Sequence, residues 1–434
     1  MMNQLPEKFI ARMKEQLPPS QWEAFFSVYG NPPVKGVRLN PLKGDTEALK
    51  GRLSFLQEQV PWEKNGYYIA LDKVGASPFH SAGLFYSQEP SAMSVAPKLE
   101  VKAGERVLDL CSAPGGKGTQ LACEMDGKGI IVLNEPVFSR AKILSQNVER
   151  MGVKNAVVTC ELPENLAKKF PAYFDKILVD APCSGEGMFR KNAEEALSEW
   201  SEENITLCAR RQKEILTSAL KMLKKGGKLA YSTCTFAPQE DEEITAWVEK
   251  TYPKTRLIAQ EKLYPHEIKG EGHFVALFEK TEGEINDIQK VKPWISRTAE
   301  KAYSAFEKDF FHHPFAGNLH EANGVLYDIP LNTFDWNGLQ VLRVGVRLGE
   351  LKNGRFEPNH SLVMSAKAED CKRVVRLAEG DGRVEKYLRG ETIEAEIENG
   401  WCAVCVEAYP LGLGKAVNGV VKNHLPKGLR KING

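Results

Sequence analysis

Residues 107–125, "VLDLCSAPGGKGTQLACEM", combine a short apolar run, a loop of small residues and the beginning of a helix. The loop contains Pro114, Gly115 and Gly116, so its backbone can approach a ligand closely. In sheets of parallel strands, such a loop follows the carboxyl end of a strand, where ligands bind. This stretch therefore predicts an α/β domain with a ligand site at the loop.

The loop does not match two common phosphate-binding patterns. A P-loop requires Ser or Thr after its lysine, but Gly118 follows Lys117, and the glycines are not in register for a dinucleotide fingerprint. A third pattern is an S-adenosylmethionine site, in which an acid at the end of the next strand binds the ribose hydroxyls. Glu135 ends "GIIVLNE" about twenty residues after the loop, as this pattern requires. The alternative role for Glu135 is that of an acid at a helix N-terminus.

Short apolar runs alternate with helical patterns over residues 85–282. The strand-like runs are "RVLDL", "GIIVLN", "NAVVT", "FDKILVD", "GKLAYST" and "HFVALFEK". The helical patterns include "RAKILSQNVERMG" and "LCARRQKEILTSALKMLKKGG", and the second is expected to end in its Lys-rich turn and Gly pair. This alternation predicts a doubly wound, Rossmann-like parallel sheet that is covered by helices on both faces.

The regions on either side of this core differ from it. Residues 1–84 are helical and then turn-rich, and "TEGEINDIQKVKPW" is a polar linker. Later strand-like runs, "GLQVLRVGVRLGEL" and "GWCAVCVEAYPLGLG", predict a mostly β C-terminal region. We therefore divide the chain into a small N-terminal domain (1–84), the α/β domain (85–282), a linker with a first C-terminal domain (283–355) and a last domain (356–434).

Composition restricts the classes of protein to which this chain can belong, but it does not identify the function. The 434 residues include 58 basic and 57 acidic side chains, so the net charge of +1 does not itself indicate a nucleic-acid partner. No apolar run resembles a signal peptide or a membrane span, which predicts a cytoplasmic protein with reduced cysteines. The only CxxC, at Cys402 and Cys405, lies in a strand-like run where its two residues face opposite sides, and we predict no metal site.

Basic residues without acidic neighbours occupy the end of the chain. No acidic residue follows Glu407, and the basic residues beyond it are Lys415, Lys422, Lys427, Arg430 and Lys431. They could form a surface that contacts phosphates, with Lys415 and Lys422 as our candidates. A solvated basic tail is the equally acceptable alternative.

Two cysteines each follow the end of a predicted buried strand. Cys183 lies in "DAPCSG" (180–185) and Cys234 in "STCT" (232–235), after the fourth and fifth strands. In the usual doubly wound order the fourth strand lies beside the first and the fifth beside the fourth, so both thiols are expected near the cofactor loop. A thiol beside a methyl donor suits methylation of carbon 5 of a pyrimidine. Thiolate addition at carbon 6 makes carbon 5 nucleophilic, and a second group then helps release.

Four segments of this core resemble the Sun-type RNA (cytosine-5) methyltransferases. They are "LDLCSAPGGKGTQLA", "VLNEPVFSRAKILSQNVERMG", "FDKILVDAPCSGEGMFRK" and "YSTCTFAPQEDEEI". "VRLNPLK", near the N-terminus, is similar to a further block of that family. The tail "PLGLGKAVNGVVKNHLPKGLRK" resembles the PUA-like domain of its bacterial ribosomal-RNA members.

The resemblance implies roles for individual residues. It makes Cys234 the nucleophile and Cys183 the helper in product release; the residues alone leave these roles open, because DNA cytosine-5 enzymes use a "PC" cysteine as nucleophile. Asp180 is expected to contact both cofactor and target base. The implied cofactor contacts are Cys111, Ser112, Ala113, Pro114, Gly115, Gly116, Lys117, Glu135, Arg140 and Asp180.

Some positions depart from the family pattern or carry two interpretations. Gly118 stands where many relatives have Thr, and "CELPEN" lacks the Asp that often faces the adenine, a role that Glu161 could take. Arg38 and Asn40 are predicted to contact RNA or the rim of the site. Stabilisation of a turn is the alternative role for both residues.

The resemblance implies an S-adenosylmethionine-dependent RNA cytosine-5 methyltransferase, acting in the cytoplasm as a monomer, with 16S ribosomal RNA or the small subunit as substrate. A transfer-RNA cytosine-5 methyltransferase is the alternative enzyme. A catalytically silent RNA-binding assembly factor is the alternative from another class, although both intact cysteine segments argue against silence. A DNA-base amino methyltransferase is disfavoured, because "DAPCSG" has no aromatic residue to stack a flipped base.

Overall fold

The computed structural model describes residues 5–431 of the chain. Its N-terminal part contains a four-stranded antiparallel sheet in the order β2-β3-β1-β4. The elements of this part are α1 (Glu7–Gln16), α2 (Trp22–Ser27), β1 (Gly36–Leu39), α3 (Thr46–Arg52), β2 (Leu56–Gln59), β3 (Gly66–Ile69), α4 (Pro78–Ser81) and β4 (Phe85–Ser87). Strand β4 pairs with β1 and begins one residue after the boundary that we predict at 84.

The predicted α/β core follows. Its elements are α5 (Val95–Lys98), β5 (Arg106–Asp109), α6 (Gly116–Glu124), β6 (Ile130–Asn134), α7 (Phe138–Met151), β7 (Ala156–Thr159), α8 (Pro163–Lys169), β8 (Phe174–Asp180), α9 (Ala193–Glu199), α10 (Glu202–Met222), β9 (Leu223–Thr233), α11 (Glu242–Thr251), β10 (Thr255–Leu263) and β11 (His273–Lys280). These strands form the central sheet in the order β10-β11-β9-β8-β5-β6-β7.

The predicted strand order is confirmed. Strands β5 to β9 are parallel, β8 lies between β5 and β9, and β11 adds an antiparallel strand. Strand β10, which pairs with β11, was not predicted. Helix α10 ends at Met222 rather than at the Gly pair, and "LKKGG" begins β9, where an irregularity in the pairing with β8 accommodates it.

The C-terminal region is mostly β, as predicted. It contains two further sheets, in the orders β12-β13-β15-β16 and β17-β19-β20-β21-β18. The elements are α12 (Arg297–Phe310), β12 (Leu319–Ala322), β13 (Val325–Asp328), β14 (Val341–Val344), β15 (Val346–Lys352), β16 (Arg355–Pro358), α13 (His360–Met364), β17 (Val374–Leu377), α14 (Gly382–Arg389), β18 (Ile393–Glu394), β19 (Gly400–Val406), β20 (Tyr409–Val417) and β21 (Val420–Asn423).

One strand of this region belongs to the central sheet. The run "GLQVLRVGVRLGEL" divides at Gly345: β14 pairs antiparallel with β7, whereas β15 joins the next sheet. Gly345 has a φ of +52°, and a Cβ there would lie 2.2 Å from the carbonyl oxygen of Asp328, so the division requires glycine. Phe334 also packs in the central core, against Phe170. The central core therefore extends beyond residue 282, and our four-part division stays a prediction.

Candidate active site

The small-residue loop lies at the carboxyl edge of the central sheet, between β5 and α6. Gly115 has a φ of +113° and precedes the first residue of α6, a backbone conformation that favours glycine. Neighbouring elements fix the loop. The Ser112 N–H donates to the carbonyl of Asn134 at 2.7 Å, and the Asn147 amide donates to the carbonyl of Pro114 at 2.9 Å. The backbone that approaches a ligand here is thus held before any ligand binds.

Glu135 lies where the ribose acid was predicted. It follows β6 directly and is only 2% exposed. One carboxylate oxygen accepts from the Val137 N–H at 2.9 Å, so the alternative helix-end role is also present. Arg140 Nη1 lies 3.4 Å from the other oxygen, and Arg140 Nη2 donates to the carbonyl of Ala113 at 3.1 Å. Arg140 therefore links the acid to the loop.

An ionic cluster, in which Asp180 is partly exposed, connects the loop to the end of β8. Lys117 Nζ donates to Asp180 Oδ2 at 2.8 Å, and Ser232 Oγ donates to Asp180 Oδ1 at the same distance. His273, at the start of β11, places Nε2 3.8 Å from Oδ1. Burial alone would raise the pKa of Asp180, but the Lys117 ammonium and His273 outweigh it and hold that pKa well below its usual range. Asp180 is therefore an anion.

The two predicted thiols lie together at the same edge. Cys183 Sγ and Cys234 Sγ are 3.3 Å apart, and the Cys234 N–H points to Cys183 Sγ at the same distance. Both are partly exposed, whereas six of the other cysteines are buried. The hydrogen bond with Cys234, followed by burial, raises the pKa of the Cys183 thiol well above its ordinary value. Either sulfur can be the hydrogen-bond donor in this pair.

The loops that carry the two thiols are tied to each other. Glu240 accepts from the Ser184 N–H at 3.1 Å and from the Gln212 amide at 2.8 Å. Ser184 Oγ and Thr235 Oγ1 are 2.8 Å apart, and the Gly187 N–H donates to the carbonyl of Cys234 at 2.8 Å. These bonds set the separation of the two sulfurs.

Glu240, His273 and Asp109 were not predicted as site residues. Glu240 lies six residues after Cys234 in "YSTCTFAPQEDEEI", and this position could have identified it as a site residue. Burial raises the pKa of Glu240 to about 7. Asp109 ends β5, and burial raises its pKa to about 7 as well.

The departure at Gly118 has a steric reason. A Cβ at Gly118 would lie 2.6 Å from Leu133 Cδ2, 2.6 Å from Ser112 Oγ and 2.8 Å from Asp109 Oδ2. Contacts this short force movement of the neighbours, two of which belong to the strands beneath the loop. In this chain, glycine is therefore the residue that the packing at this position accepts.

Glu161 bridges two segments of the chain, and its contact with the adenine stays a prediction. Its carboxylate accepts from the Gln340 N–H at 2.8 Å and from the Asn165 amide at 3.1 Å. The Asn134 amide in turn donates to the carbonyl of Glu161 at 2.9 Å. Glu161 thus joins the cofactor side of the sheet to the segment that leads into β14.

The prediction that Arg38 and Asn40 contact RNA is wrong. Arg38 is 1% exposed and Asn40 is fully buried. Arg38 donates to Gln88 Oε1, the carbonyl of Gly116 and Thr119 Oγ1, so it supports the start of α6 from beneath. Asn40 caps the turn that follows β1, accepting from the Leu42 N–H at 3.1 Å. The turn-stabilising alternative holds for Asn40.

Lys415 and Lys422 lie on the surface of the last sheet. They are exposed and directly opposite each other on β20 and β21. Lys415 Nζ lies 5.2 Å from the ring centre of Trp401. Within residues 5–431, no group of three or more His, Cys, Asp or Glu side chains could hold a metal ion. No helix in the same range is long and apolar enough to cross a membrane.

Four family models match consecutive parts of this chain. The model described as 16S rRNA methyltransferase RsmB/F matches residues 96–279, and the N-terminal domain of 16S rRNA methyltransferase RsmF matches residues 5–90. The RsmF first C-terminal domain matches residues 305–365, and the methyltransferase RsmF PUA domain matches residues 375–431. Together they span the N-terminal part, the central core and the C-terminal region.

Individual proteins give the same assignment. The chain is 31% identical to ribosomal RNA small subunit methyltransferase F of Enterobacter sp. (strain 638), over 98% of this chain and 95% of the relative. The protein of that name from Vibrio vulnificus is 30% identical over 98% and 97%. A crystal structure of a methyltransferase homolog from Pyrococcus horikoshii, 28% identical, superposes with a TM-score of 0.58 over 64% of this chain and 97% of the other. This chain belongs to the 16S rRNA methyltransferase RsmB/F family.

Proposed function

We propose that this RNA methyltransferase transfers the methyl group of S-adenosylmethionine to carbon 5 of a cytosine in 16S ribosomal RNA. The observation that carries the proposal is the thiol pair, with Cys183 Sγ and Cys234 Sγ 3.3 Å apart at the edge that also holds the cofactor loop. Methylation at a ring carbon requires a nucleophile that first adds to the ring, and thiolate is well suited to that addition.

The residues at the edge of the sheet fit the cofactor. The loop from Cys111 to Lys117 offers close backbone approach, and the Glu135 carboxylate suits the two ribose hydroxyls. Arg140, which bonds both Glu135 and the loop, fixes their relative position. S-adenosylmethionine supplies an electrophilic methyl group on its sulfonium when it is bound.

We assign the reaction to the chain's own residues as follows. The thiolate of Cys234 adds to carbon 6 of the cytosine and forms a carbon–sulfur bond, which makes carbon 5 the nucleophile for the methyl group. The carbon 5 proton is then lost to solvent, and the ring expels the sulfur of Cys234. Cys183 assists this release by donating a proton to the departing thiolate. Asp180, held as an anion by Lys117, contacts the base and the cofactor.

The close contact of the two sulfurs suits this division of roles, because a proton can pass directly from one to the other. A protonated thiol is a poor nucleophile but a suitable acid for a leaving thiolate. Cys234 follows β9 directly, and the carbonyl of Cys234 accepts from the Gly187 N–H. The nucleophile therefore has a fixed backbone, as precise attack requires.

The proposed substrate and setting rest on the relatives. The proteins that match over nearly the full length are named for the ribosomal RNA of the small subunit, and the last sheet matches a PUA domain. We propose the cytoplasm as its compartment and a monomer as its working form.

Two cysteine variants test the chemistry. Cys234→Ala removes the nucleophile, so neither a covalent RNA adduct nor methylated RNA should form. Cys183→Ala leaves the attack intact and slows release, so protein covalently joined to methylated RNA should accumulate. Denaturing gels with labelled RNA distinguish the two results. An adduct with Cys234→Ala, and none with Cys183→Ala, would reverse the assignment.

The substrate needs a separate measurement. Mapping 5-methylcytosine in ribosomal and transfer RNA of a deletion strain should show sites lost from 16S RNA and regained with the intact gene. Loss confined to transfer RNA would favour the transfer-RNA enzyme. Unchanged methylation in both, together with RNA binding by the purified protein, would favour the silent assembly factor.

A further inference from the structure

A cavity of about 320 Å³ lies where three parts of the chain meet, and no residue of β8 or β9 lines it. Its walls include Gln146 and Arg150 of α7, His80 of the N-terminal part, and His360 and Lys431 of the C-terminal region. We call this space the junction cavity. Leu388, Leu411 and Leu425 form its apolar side.

Two cations of the junction cavity have only neutral partners. Arg150 donates to the carbonyls of His80 and Phe85, at 3.0 and 3.1 Å, and to the side-chain oxygen of Asn147. Lys431 Nζ donates to the carbonyl of Ala76 at 2.8 Å. Among residues 5–431, no carboxylate lies within salt-bridge distance of either cation.

The carboxylate that lines the cavity does not neutralise these cations. Glu149 is ion-paired with Arg343, a residue of β14. With Glu149 paired in this way, Arg150 and Lys431 give the lining of the cavity an excess of positive charge.

A buried imidazole adds an unused polar atom. His360 is 6% exposed, lines the cavity, and has no hydrogen-bond partner for Nδ1 among the described residues. Buried polar atoms in proteins are nearly always hydrogen-bonded, so an unpaired one beside a cavity indicates a missing partner. An anion that accepts from imidazole, guanidinium and ammonium groups would supply that partner and the missing charge.

We propose that the junction cavity binds a phosphate group, carried either by RNA or by a small phosphorylated molecule. Phosphate fits because its several oxygens can accept from donors that converge from different elements, here Arg150, Lys431 and His360. The apolar leucines can pack against the sugar or base attached to it. The site would link the N-terminal part, helix α7 and the last domain through one ligand.

The test measures the reactivity of the Lys431 amine in the full chain. The protein is treated with an amine-acylating reagent, and modification of each lysine is quantified by mass spectrometry. Inorganic phosphate, balanced against chloride at constant ionic strength, should slow acylation of Lys431 several-fold. Lys427, which lies on the same tail but does not line the cavity, is the matched control and should not change.

Two substitutions at Gln146 test whether the protection of Lys431 arises in the cavity. Gln146 is exposed on α7, so Gln146→Glu leaves the core intact and places a carboxylate among the cavity's cations. It should abolish the protection of Lys431 by phosphate, whereas Gln146→Ala should retain it. Equal acylation with and without phosphate or RNA, or protection that survives Gln146→Glu, would overturn the proposal.

A 16S ribosomal RNA fragment distinguishes the two sources of the phosphate. If RNA protects Lys431 in the parent and not in Gln146→Glu, the cavity takes an RNA phosphate. If inorganic phosphate protects and RNA does not, the ligand is a small phosphorylated molecule. The phosphate measurement needs neither RNA nor methyl transfer, so its failure is separate from a failure of the proposed methylation.

Discussion

At the scale of single residues, Gly118 shows how closely the cofactor loop is packed. Glycine within a helix normally costs stability relative to alanine, so Gly→Ala at an open position stabilises. At Gly118 the added Cβ meets Leu133, Ser112 and Asp109 at 2.6–2.8 Å. The steric cost should exceed the gain from helix propensity, because the strands beneath the loop cannot retreat freely.

We therefore expect Gly118→Ala to lower the free energy of unfolding by about 1–3 kcal/mol and to weaken cofactor binding. Chemical denaturation and calorimetry with S-adenosylmethionine measure the two effects. Gly51 is the matched control, since it lies within α3 with nothing within 4 Å of an added Cβ. Gly51→Ala should stabilise by about 0.5–1 kcal/mol. Stabilisation by both substitutions would contradict the packing argument.

Asp109 gives a pH-dependent prediction. Burial raises the pKa of Asp109 from its ordinary value of 3.8 to about 7. Between these two pH values the folded protein keeps a proton that the unfolded chain releases. The contribution of Asp109 to the free energy of unfolding is therefore fully present below its pKa in the unfolded chain and is lost as the pH rises towards 7.

Asp109→Asn removes this dependence. The stability of the variant relative to the parent should rise by about 2–3 kcal/mol between pH 5 and pH 8. Urea denaturation at both pH values measures the difference. A gap that does not change with pH would show that Asp109 does not keep its proton in the folded protein.

At the scale of secondary-structure elements, the pairing of β14 with β7 affects how a C-terminal truncation would be interpreted. Phe334 lies outside the predicted α/β domain, yet it is fully buried and its ring centre lies 4.7 Å from that of Phe170. Removing the chain after residue 285 would expose this core and the edge of β7. A truncated protein that loses RNA binding would therefore not identify an RNA-binding domain.

Phe334→Ala should destabilise the central core by about 3–5 kcal/mol, the range for a large buried aromatic side chain. Leu331, three residues earlier and 76% exposed, provides the control, and Leu331→Ala should change stability by less than about 0.5 kcal/mol. Thermal unfolding of the full chain compares them. Equal and small effects would indicate that this segment does not belong to the central core.

The sequence predicted those elements whose signal is local. Buried runs such as "FDKILVD" identify parallel strands, and the handedness of their connections then places Cys183 beside Cys234. His273 was not predicted as a site residue, because it begins an antiparallel strand whose register depends on the hairpin with β10. The run that contains β14 was predicted to be strand-like, but its pairing with β7 was not, because β7 lies about 180 residues away and hydropathy does not encode such pairing.

Burial also explains why Arg38 was misread. A surface arginine and a buried one look alike in sequence, and the partners that bury Arg38 are Gln88 and the first turn of α6. An arginine beneath a loop can be recognised only once the two segments are packed. The cysteine pair needed topology alone, whereas the supporting residues around it needed the packed structure.

At the scale of the whole molecule, the exposed lysines of the last sheet determine how RNA affinity responds to salt. Lys415 and Lys422 are cross-strand neighbours, and like charges at opposite positions repel each other. A phosphate between or beside them would relieve that repulsion. Burial, followed by the charge of Lys415, lowers the pKa of the nearby His424, although Glu357 opposes this effect.

Each lysine that neutralises a phosphate contributes about 0.7–0.9 to the slope of log affinity against log salt concentration, the lower value applying to single strands. The double variant Lys415→Gln/Lys422→Gln should therefore weaken RNA binding at low salt and reduce the magnitude of that slope by about 1.4–1.8. The matched control is Lys102→Gln/Lys128→Gln. These two exposed lysines precede β5 and β6, at the edge of the central sheet opposite the cofactor loop. Fluorescence anisotropy with a 16S ribosomal RNA fragment, over a series of salt concentrations, measures both slopes. Equal slopes for the two double variants would favour the alternative, a solvated basic tail that contacts no phosphate. In that case Lys415 and Lys422 would release no more counterions than the two control lysines.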